Sequence, residues 1–160
     1  MSQSDQISGN QKRKIRSVTR LYILQALFQM EQLGQSVDQV SEEFIAHRFG
    51  EHYEEGQMSE GDEAFFKSVL EAAVNYQASI DQLTDRALVQ KWPISRIDPT
   101  LRSLFRCAAA EIIQIKTPAK IVITEYVALA HAFFPEGKEP NFVNAVLDHM
   151  AKEACPNQFS

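Results

Sequence analysis

The sequence predicts an all-α fold, a single domain of six or seven helices. Its 160 residues are about the length of one domain, and 44% of them are apolar against 23% charged, which is enough hydrophobic material for one continuous core. Apolar side chains recur at helical spacing along most of the chain, and no segment sustains the alternating pattern of a strand. No repeat of roughly 20–50 residues indicates a solenoid.

Residues 12–32 predict the first helix. It is apolar on most faces from Leu21 onward, so we expect this half to be buried. Gly34 ends it. Ser36 and Asp38 are candidate caps for a second helix, because their side chains can accept hydrogen bonds from the first turn. The predicted core residues of that helix are Val37, Val40, Phe44 and Ile45.

The middle of the chain predicts an acidic loop followed by more helix. Residues 49–61 contain three glycines and four glutamates, and residues 62–90 carry apolar side chains at helical spacing. That stretch predicts either one long helix or two with a break near Ala78. Trp92-Pro93 stops it, because proline disfavours helical geometry in the residue before it.

A new helix is predicted to start at Asp98-Pro99, with the acid as cap and the proline in the first helical position. Arg102 is expected on the outside of this helix. The predicted buried residues are Leu101, Leu104, Phe105, Ala108, Ile112 and Ile115.

Two further helices complete the chain. Thr117-Pro118 separates the previous helix from a very apolar one over residues 119–133. The loop at residues 134–140 then leads to a last helix over residues 141–154, which offers valine, leucine and methionine side chains to the core.

The domain boundaries follow from these elements. We expect a disordered N-terminal tail at residues 1–11, a helical domain at 12–154 and a C-terminal tail at 155–160. No apolar run approaches the roughly 20 residues that span a bilayer, and the N-terminal segment lacks the apolar core of a secretory signal. Two separated cysteines, Cys107 and Cys155, suit a reducing cytoplasm.

The positive charge is concentrated in one decapeptide. Residues 11–20 carry five basic residues and no acid, which leaves 11 basic against 21 acidic residues elsewhere, a net charge of −10. On a helical wheel Arg13, Arg16 and Arg20 form one stripe. Lys12 lies at its edge. An acidic body with a local basic arm is suited to capturing a polyanion, although charge alone equally fits a solvated helix start.

No catalytic or metal-binding motif is found. The sequence has no glycine-rich phosphate loop, no G-x-S-x-G and no H-E-x-x-H. His47 and His52 are five residues apart across a predicted helix end, so they do not present two imidazoles on one face. Glu42 and Glu43 are adjacent and point to different faces. We therefore expect no enzyme activity, no metal and no cofactor.

Four segments carry a resemblance to a known family. They are RLYILQALFQME at 20–31, LFRCAAAE at 104–111, ITEYVALA at 123–130 after Pro118, and FVNAVLD at 142–148. In this order and spacing, the chain resembles the family of the transcription antitermination factor NusB over roughly residues 12–153.

The resemblance implies an RNA-binding helical domain with two three-helix halves. The family partner is NusE, a small-subunit ribosomal protein, and the pair binds the boxA element of nascent ribosomal RNA transcripts, which keeps RNA polymerase elongating. Such adaptor work needs no active site.

The resemblance also assigns RNA contacts. Phe142 is expected to stack on an unpaired base, although its spacing equally fits a core residue. Asn144 is expected to read a base edge, although it equally fits a helix cap or bridge. Guanidinium and ammonium groups would pair with phosphates. The full predicted set is Lys12, Arg13, Arg16, Arg20, Lys138, Phe142 and Asn144.

The NusE surface is predicted at Phe28, Leu101 and Arg102. Other family members carry a tyrosine at the first position and an acid at the second, and the family uses both against NusE. Here the hydroxyl and the carboxylate are absent, which shifts these contacts towards apolar burial. The alternative function is a helical protein–protein module or homodimer without RNA binding. A third possibility, the RNA-binding domain fused to some ribosomal RNA methyltransferases, is disfavoured because no Rossmann domain follows.

Overall fold

The computed structural model describes residues 9–49, 61–88 and 97–159. Within these residues the chain is all-α, as the sequence predicts. The chain divides into two compact units, residues 1–67 and 68–160. The α-helices are α1 (Gly9–Leu33), α2 (Val37–Glu43), α3 (Glu63–Asn75), α4 (Gln77–Ala87), α5 (Pro99–Ala110), α6 (Ala119–Phe133) and α7 (Glu139–Ala154).

The first unit is built on α1, whose buried residues lie between Thr19 and Leu27. The last turn of the helix is less buried than the sequence predicts, and Leu33 is exposed. Gly34 ends α1 with a φ of 69°, a left-handed conformation that glycine adopts without steric cost. Its N–H donates to the Met30 carbonyl at 2.8 Å. The predicted acidic loop at 49–61 lies outside the described residues except at its two ends.

A capping box starts α2. The Ser36 hydroxyl accepts a hydrogen bond from the Gln39 N–H at 3.1 Å, and the Gln39 side chain accepts one from the Ser36 N–H at 3.0 Å. Ser36 is therefore the cap, and Asp38 lies within the first turn. Five residues of π-helix, Phe44–Arg48, continue α2, and Val40 and Phe44 are its fully buried side chains.

Replacing Ser36 with alanine is expected to lower the free energy of unfolding by about 1 kcal/mol, because it removes the acceptor for an otherwise unpaired N–H. Urea denaturation would measure the change. Ser36→Asp is the control, since an aspartate can accept the same bond. Equal stability of the alanine and aspartate variants would contradict the capping role.

Four aromatic rings form the core of the first unit. The ring centroids of Tyr22 and Phe49 are 4.9 Å apart and stacked, and Phe66 lies 5.3 Å from Phe49 and 5.8 Å from Phe44. Ring pairs at these separations add to the free energy gained by burying their area. The cluster joins α1, the π-helical turn and the start of α3.

The stretch predicted over 62–90 is two helices rather than one. The break falls at Tyr76, two residues before the position expected from the sequence, and α4 ends at Ala87. Trp92-Pro93 lies outside the described residues. The start at Asp98-Pro99 is confirmed, since the Asp98 carboxylate accepts from the Thr100 N–H at 2.7 Å.

The second unit packs α4, α5 and α6 against α7. A bidentate ion pair ties α4 to α5: Arg106 Nε donates to Asp81 Oδ1 at 2.9 Å and its Nη2 donates to Oδ2 at 2.7 Å. The Arg106 side chain is only 7% exposed. Nine of the twelve residues of α5 are buried, and most of these are apolar.

Several element boundaries differ from the prediction. Helix α1 starts at Gly9, inside the segment predicted as a disordered tail, and α7 starts two residues early because Pro140 fits its first turn. In the C-terminal tail, Pro156–Phe159 form a 3₁₀ turn in which the Gln158 side chain accepts from the Ala119 N–H at 2.9 Å. No helix among the described residues is long and apolar enough to cross a membrane.

Candidate functional site

The first half of α1 presents a row of cations to solvent. Lys12, Arg13 and Arg16 are exposed, and the first turn of the helix contains no acid. We define the basic stripe as these three residues and Arg20. The stripe begins near the positive end of the helix dipole. Asn10 accepts a hydrogen bond from Arg13 one turn away, which orients that guanidinium.

An aromatic ring from α3 supports the inner end of the stripe. The Phe65 ring centroid lies 4.5 Å from the guanidinium carbon of Arg16 and 5.3 Å from that of Arg20. Both separations are within the range of cation–π attraction. The side chain of Arg16 is 50% exposed, whereas Arg20 is only 4% exposed. Arg16 can therefore reach a ligand, while Arg20 has almost no accessible surface and helps to fix the platform.

Asp62 holds the N-terminal end of α3 against α1. Its N–H donates to the buried Thr19 hydroxyl at 2.9 Å, and that hydroxyl donates to the Ile15 carbonyl at 2.6 Å. Asp62 Oδ1 accepts from the Phe65 N–H at 2.9 Å and so caps α3. Gly61 precedes it without a side chain, since a Cβ there would meet the Phe49 ring at 2.7 Å.

These contacts leave a cleft beside the stripe. Asp62 Oδ2 lies 3.6 Å from Arg16 Nε. The residues that line the cleft are Lys12, Arg13, Ile15, Arg16 and Asp62. A cleft with three cations and one aliphatic wall is suited to a phosphate group and the sugar attached to it.

Sequence reasoning did not find Phe65, Asp62 or Thr19. Asp62 stands three residues before Phe65 in a pattern typical of a helix cap, but nothing local indicates that both meet α1. The bond between Asp62 and Thr19 spans 43 residues. Only the tertiary structure brings them to the basic stripe.

The remaining predicted RNA contacts lie at the start of α7, in the second unit. Lys138 and Asn144 are exposed, and Phe142 is half-buried with its ring edge-to-face against Phe105, the centroids 6.1 Å apart. Phe142 therefore combines packing against Phe105 with partial exposure. Phe142 and Asn144 project about 200° apart around the helix, so they do not share a face and cannot contact the same base.

The predicted partner residues differ in accessibility. Phe28 is half-buried on α1 in the first unit. On α5 in the second unit, Leu101 is 5% exposed, so it offers a partner almost no surface. Arg102 is half-buried rather than on the outside, because the apolar face of α5 extends around most of the helix.

No group of three or more metal-ligating side chains is found among residues 9–49, 61–88 and 97–159. Cys107 is buried and Cys155 is half-buried, and the two do not form a disulfide.

The sequence model of the NusB family matches residues 17–152, which is most of the chain. The chain belongs to the NusB family. The resemblance inferred from the four segments is therefore confirmed. NusB proteins are transcription antitermination factors and not enzymes, which confirms the expectation that the chain is not an enzyme.

Two relatives illustrate the extent of the similarity. The transcription antitermination protein NusB of Maricaulis maris (strain MCS10) is 40% identical over 157 residues, 98% of each chain. The protein of the same name from Caulobacter vibrioides (strain ATCC 19089 / CIP 103742 / CB 15) is 42% identical over 149 residues, 92% of this chain and 99% of its own.

Solved NusB structures have the same fold. T. maritima NusB matches with a TM-score of 0.72 and 26% identity, covering 92% of this chain and 96% of its own. A crystal structure of the antitermination factors NusB and NusE in complex with dsRNA matches with a TM-score of 0.70 and 22% identity, covering 88% and 98%. The likeness to the second structure is one of fold.

Proposed function

We propose that the chain binds the boxA element of nascent ribosomal RNA transcripts together with NusE, and thereby promotes processive elongation by RNA polymerase in the cytoplasm. The observation that carries this proposal is the exposed, acid-free end of α1 on an otherwise acidic chain. Membership of the NusB family and the solved complex of NusB, NusE and dsRNA support it.

The phosphate contacts are assigned to Lys12, Arg13 and Arg16. Guanidinium groups pair with phosphate through two parallel hydrogen bonds and carry no sequence information, so these residues would hold the strand rather than read it. The Phe65 ring restrains Arg16, which lowers the entropy lost when a phosphate binds. Arg20 contributes by packing on the same ring.

Reading of bases is assigned to the start of α7. The exposed part of Phe142 would contact one base, and Asn144 would offer a donor and an acceptor to another. Lys138 adds a positive charge beside them. The separation of Phe142 and Asn144 around the helix implies that they contact different nucleotides.

The NusE contacts are assigned to the half-buried side chains Phe28 and Arg102. Phe28 offers an apolar ring without the hydroxyl found in other family members. Leu101 lies beneath the surface and would shape the interface from within. Replacing Phe28 with alanine is therefore expected to weaken NusE binding more than replacing Leu101 with methionine.

Fluorescence anisotropy with labelled RNA tests the proposal. A single-stranded boxA RNA, a scrambled RNA and a boxA duplex would each be titrated with the protein, in the presence and absence of NusE. We expect the single-stranded boxA RNA to bind most tightly and NusE to strengthen this binding. Equal affinity for boxA and scrambled RNA with NusE present would contradict the boxA assignment.

Light scattering of the same samples tests the alternative function. The proposal expects a complex whose mass includes RNA and NusE. A stable homodimer that binds neither would favour the protein–protein module instead.

A further inference from the structure

One carboxylate lies inside the cationic cleft. Among the described residues that line this cleft, Asp62 is the acid, and Lys12, Arg13 and Arg16 are the cations. The Asp62 side chain is 32% exposed, so its charge acts on whatever enters the cleft. A phosphate that approaches Arg16 must also approach this carboxylate.

The contact between Asp62 and Arg16 is weaker than the bonds around it. The 3.6 Å between Asp62 Oδ2 and Arg16 Nε is too long for a hydrogen bond, so the pair is held by charge alone. Asp62 Oδ1, by contrast, accepts from the Phe65 N–H at 2.9 Å. Asp62 therefore keeps its place through the helix cap, whichever anion Arg16 faces.

Arg16 keeps its place independently of Asp62. Its guanidinium lies 4.5 Å from the centroid of the Phe65 ring, and that ring is buried. Removing the Asp62 charge thus leaves Arg16 restrained by the ring. The carboxylate neutralises the guanidinium without being needed to orient it.

We propose that Asp62 is an internal counter-anion of Arg16, and that its fixed negative charge opposes the binding of phosphate to the same guanidinium. It weakens binding of every polyanion to the basic stripe and so limits sequence-independent capture. The expected effect of Asp62 on RNA binding rests on the proposed function. The effect on anion affinity does not, because it follows from the charges in the cleft.

Asp62→Asn tests the inference with the fold retained, because asparagine is an equally good helix cap and can accept the same bond from the Phe65 N–H. The first readout is the affinity for inorganic tripolyphosphate, which is measured from the NMR shifts of the α1 backbone amides during a titration. We expect the variant to bind about three- to tenfold more tightly than the wild type. The second readout is boxA RNA, for which the log–log salt slope should steepen by about 0.7.

Asp38→Asn is the matched control. Asp38 is an exposed acid in the first turn of α2, in the same unit as Asp62, and it does not line the cleft. The control changes net charge by the same amount and is expected to shift tripolyphosphate affinity by less than about twofold.

A double-mutant cycle tests the pairing itself. In an Arg16→Ala background, Asp62→Asn should gain less than half of the factor that it gains in the wild type. An equal gain in both backgrounds would overturn the assignment of Asp62 to Arg16. Unchanged or weaker tripolyphosphate binding by Asp62→Asn alone would overturn the inference entirely.

The two proposals can fail separately. If the wild type does not bind boxA RNA but Asp62→Asn tightens tripolyphosphate binding, the proposed function fails and the counter-anion stands. If the wild type binds boxA RNA and Asp62→Asn changes neither ligand's affinity, the counter-anion fails and the proposed function stands.

Discussion

Replacing Lys12, Arg13 and Arg16 together with alanine is expected to weaken binding of single-stranded boxA RNA by about 100-fold at moderate salt. Each side chain would lose one charge-assisted contact worth about 1 kcal/mol net. The slope of log affinity against log salt concentration should flatten by about 2, because three phosphate contacts are lost and the counterions of those phosphates are no longer released on binding. Anisotropy titrations at several salt concentrations would measure both quantities.

The matched control is Lys14→Ala, Lys67→Ala and Lys120→Ala combined. These lysines are exposed and lie outside the cleft, and Lys14 projects from another face of α1 than the basic stripe. The control removes the same net charge, so its effect should stay within about threefold. Similar losses for both triple variants would mean that net charge, rather than the stripe, governs binding.

Replacing Arg106 with alanine is expected to lower the free energy of unfolding by about 3–5 kcal/mol. The change leaves the half-buried Asp81 carboxylate without the two hydrogen bonds that it accepts from the guanidinium. Chemical denaturation followed by circular dichroism would measure the loss. Replacing Arg106 and Asp81 together with leucine should cost less than the single change, because no charge is then left unpaired.

Arg86→Ala provides an exposed comparison. Arg86 donates from Nε to Glu153 Oε2 at 2.8 Å, joining α4 to α7, and both side chains are well exposed. The hydrogen bonds from Arg86 lower the pKa of Glu153 below its ordinary value. Its loss should change stability far less, since water solvates the separated charges. Equal losses for Arg86→Ala and Arg106→Ala would contradict the role of burial.

The elements that local chemistry specifies were predictable from the sequence. Gly34 ends α1 because of its backbone freedom, and Asp98-Pro99 starts α5 because an acid can cap the helix that a proline begins. The helix predicted at 119–133 has the bounds found in the structure. At Gly34 and at Asp98-Pro99 the decisive interactions lie within a few residues of one another.

Burial of individual stripe residues could not be predicted in this way. The wheel places Arg16 and Arg20 on one face of α1, but it does not show where that face becomes covered. Arg16 and Arg20 both lie over the ring of Phe65, which is 45 positions beyond Arg20 in the sequence, yet Arg16 is exposed and Arg20 is buried. Accessibility therefore changes within one helical turn. The position of Asp62 beside the basic stripe could not be predicted either, because its bond to Thr19 joins residues 43 positions apart in the sequence.

The two uses left open for Phe142 turn out to be compatible. Its ring packs edge-to-face on Phe105 and keeps part of its surface accessible, so core packing does not exclude contact with a base. A periodic pattern assigns a side chain to one face of a helix. A residue at the edge of that face can pack against the core and still contact a ligand.

Mapping of RNA binding by NMR tests the central claim most directly. Backbone amide shifts of the protein would be recorded while single-stranded boxA RNA is added. We expect the largest changes at residues 12–16 of α1, with a second group at 138–144. Saturable binding that leaves residues 12–16 unperturbed and shifts other surfaces instead would contradict the assignment of the basic stripe as the RNA-binding site.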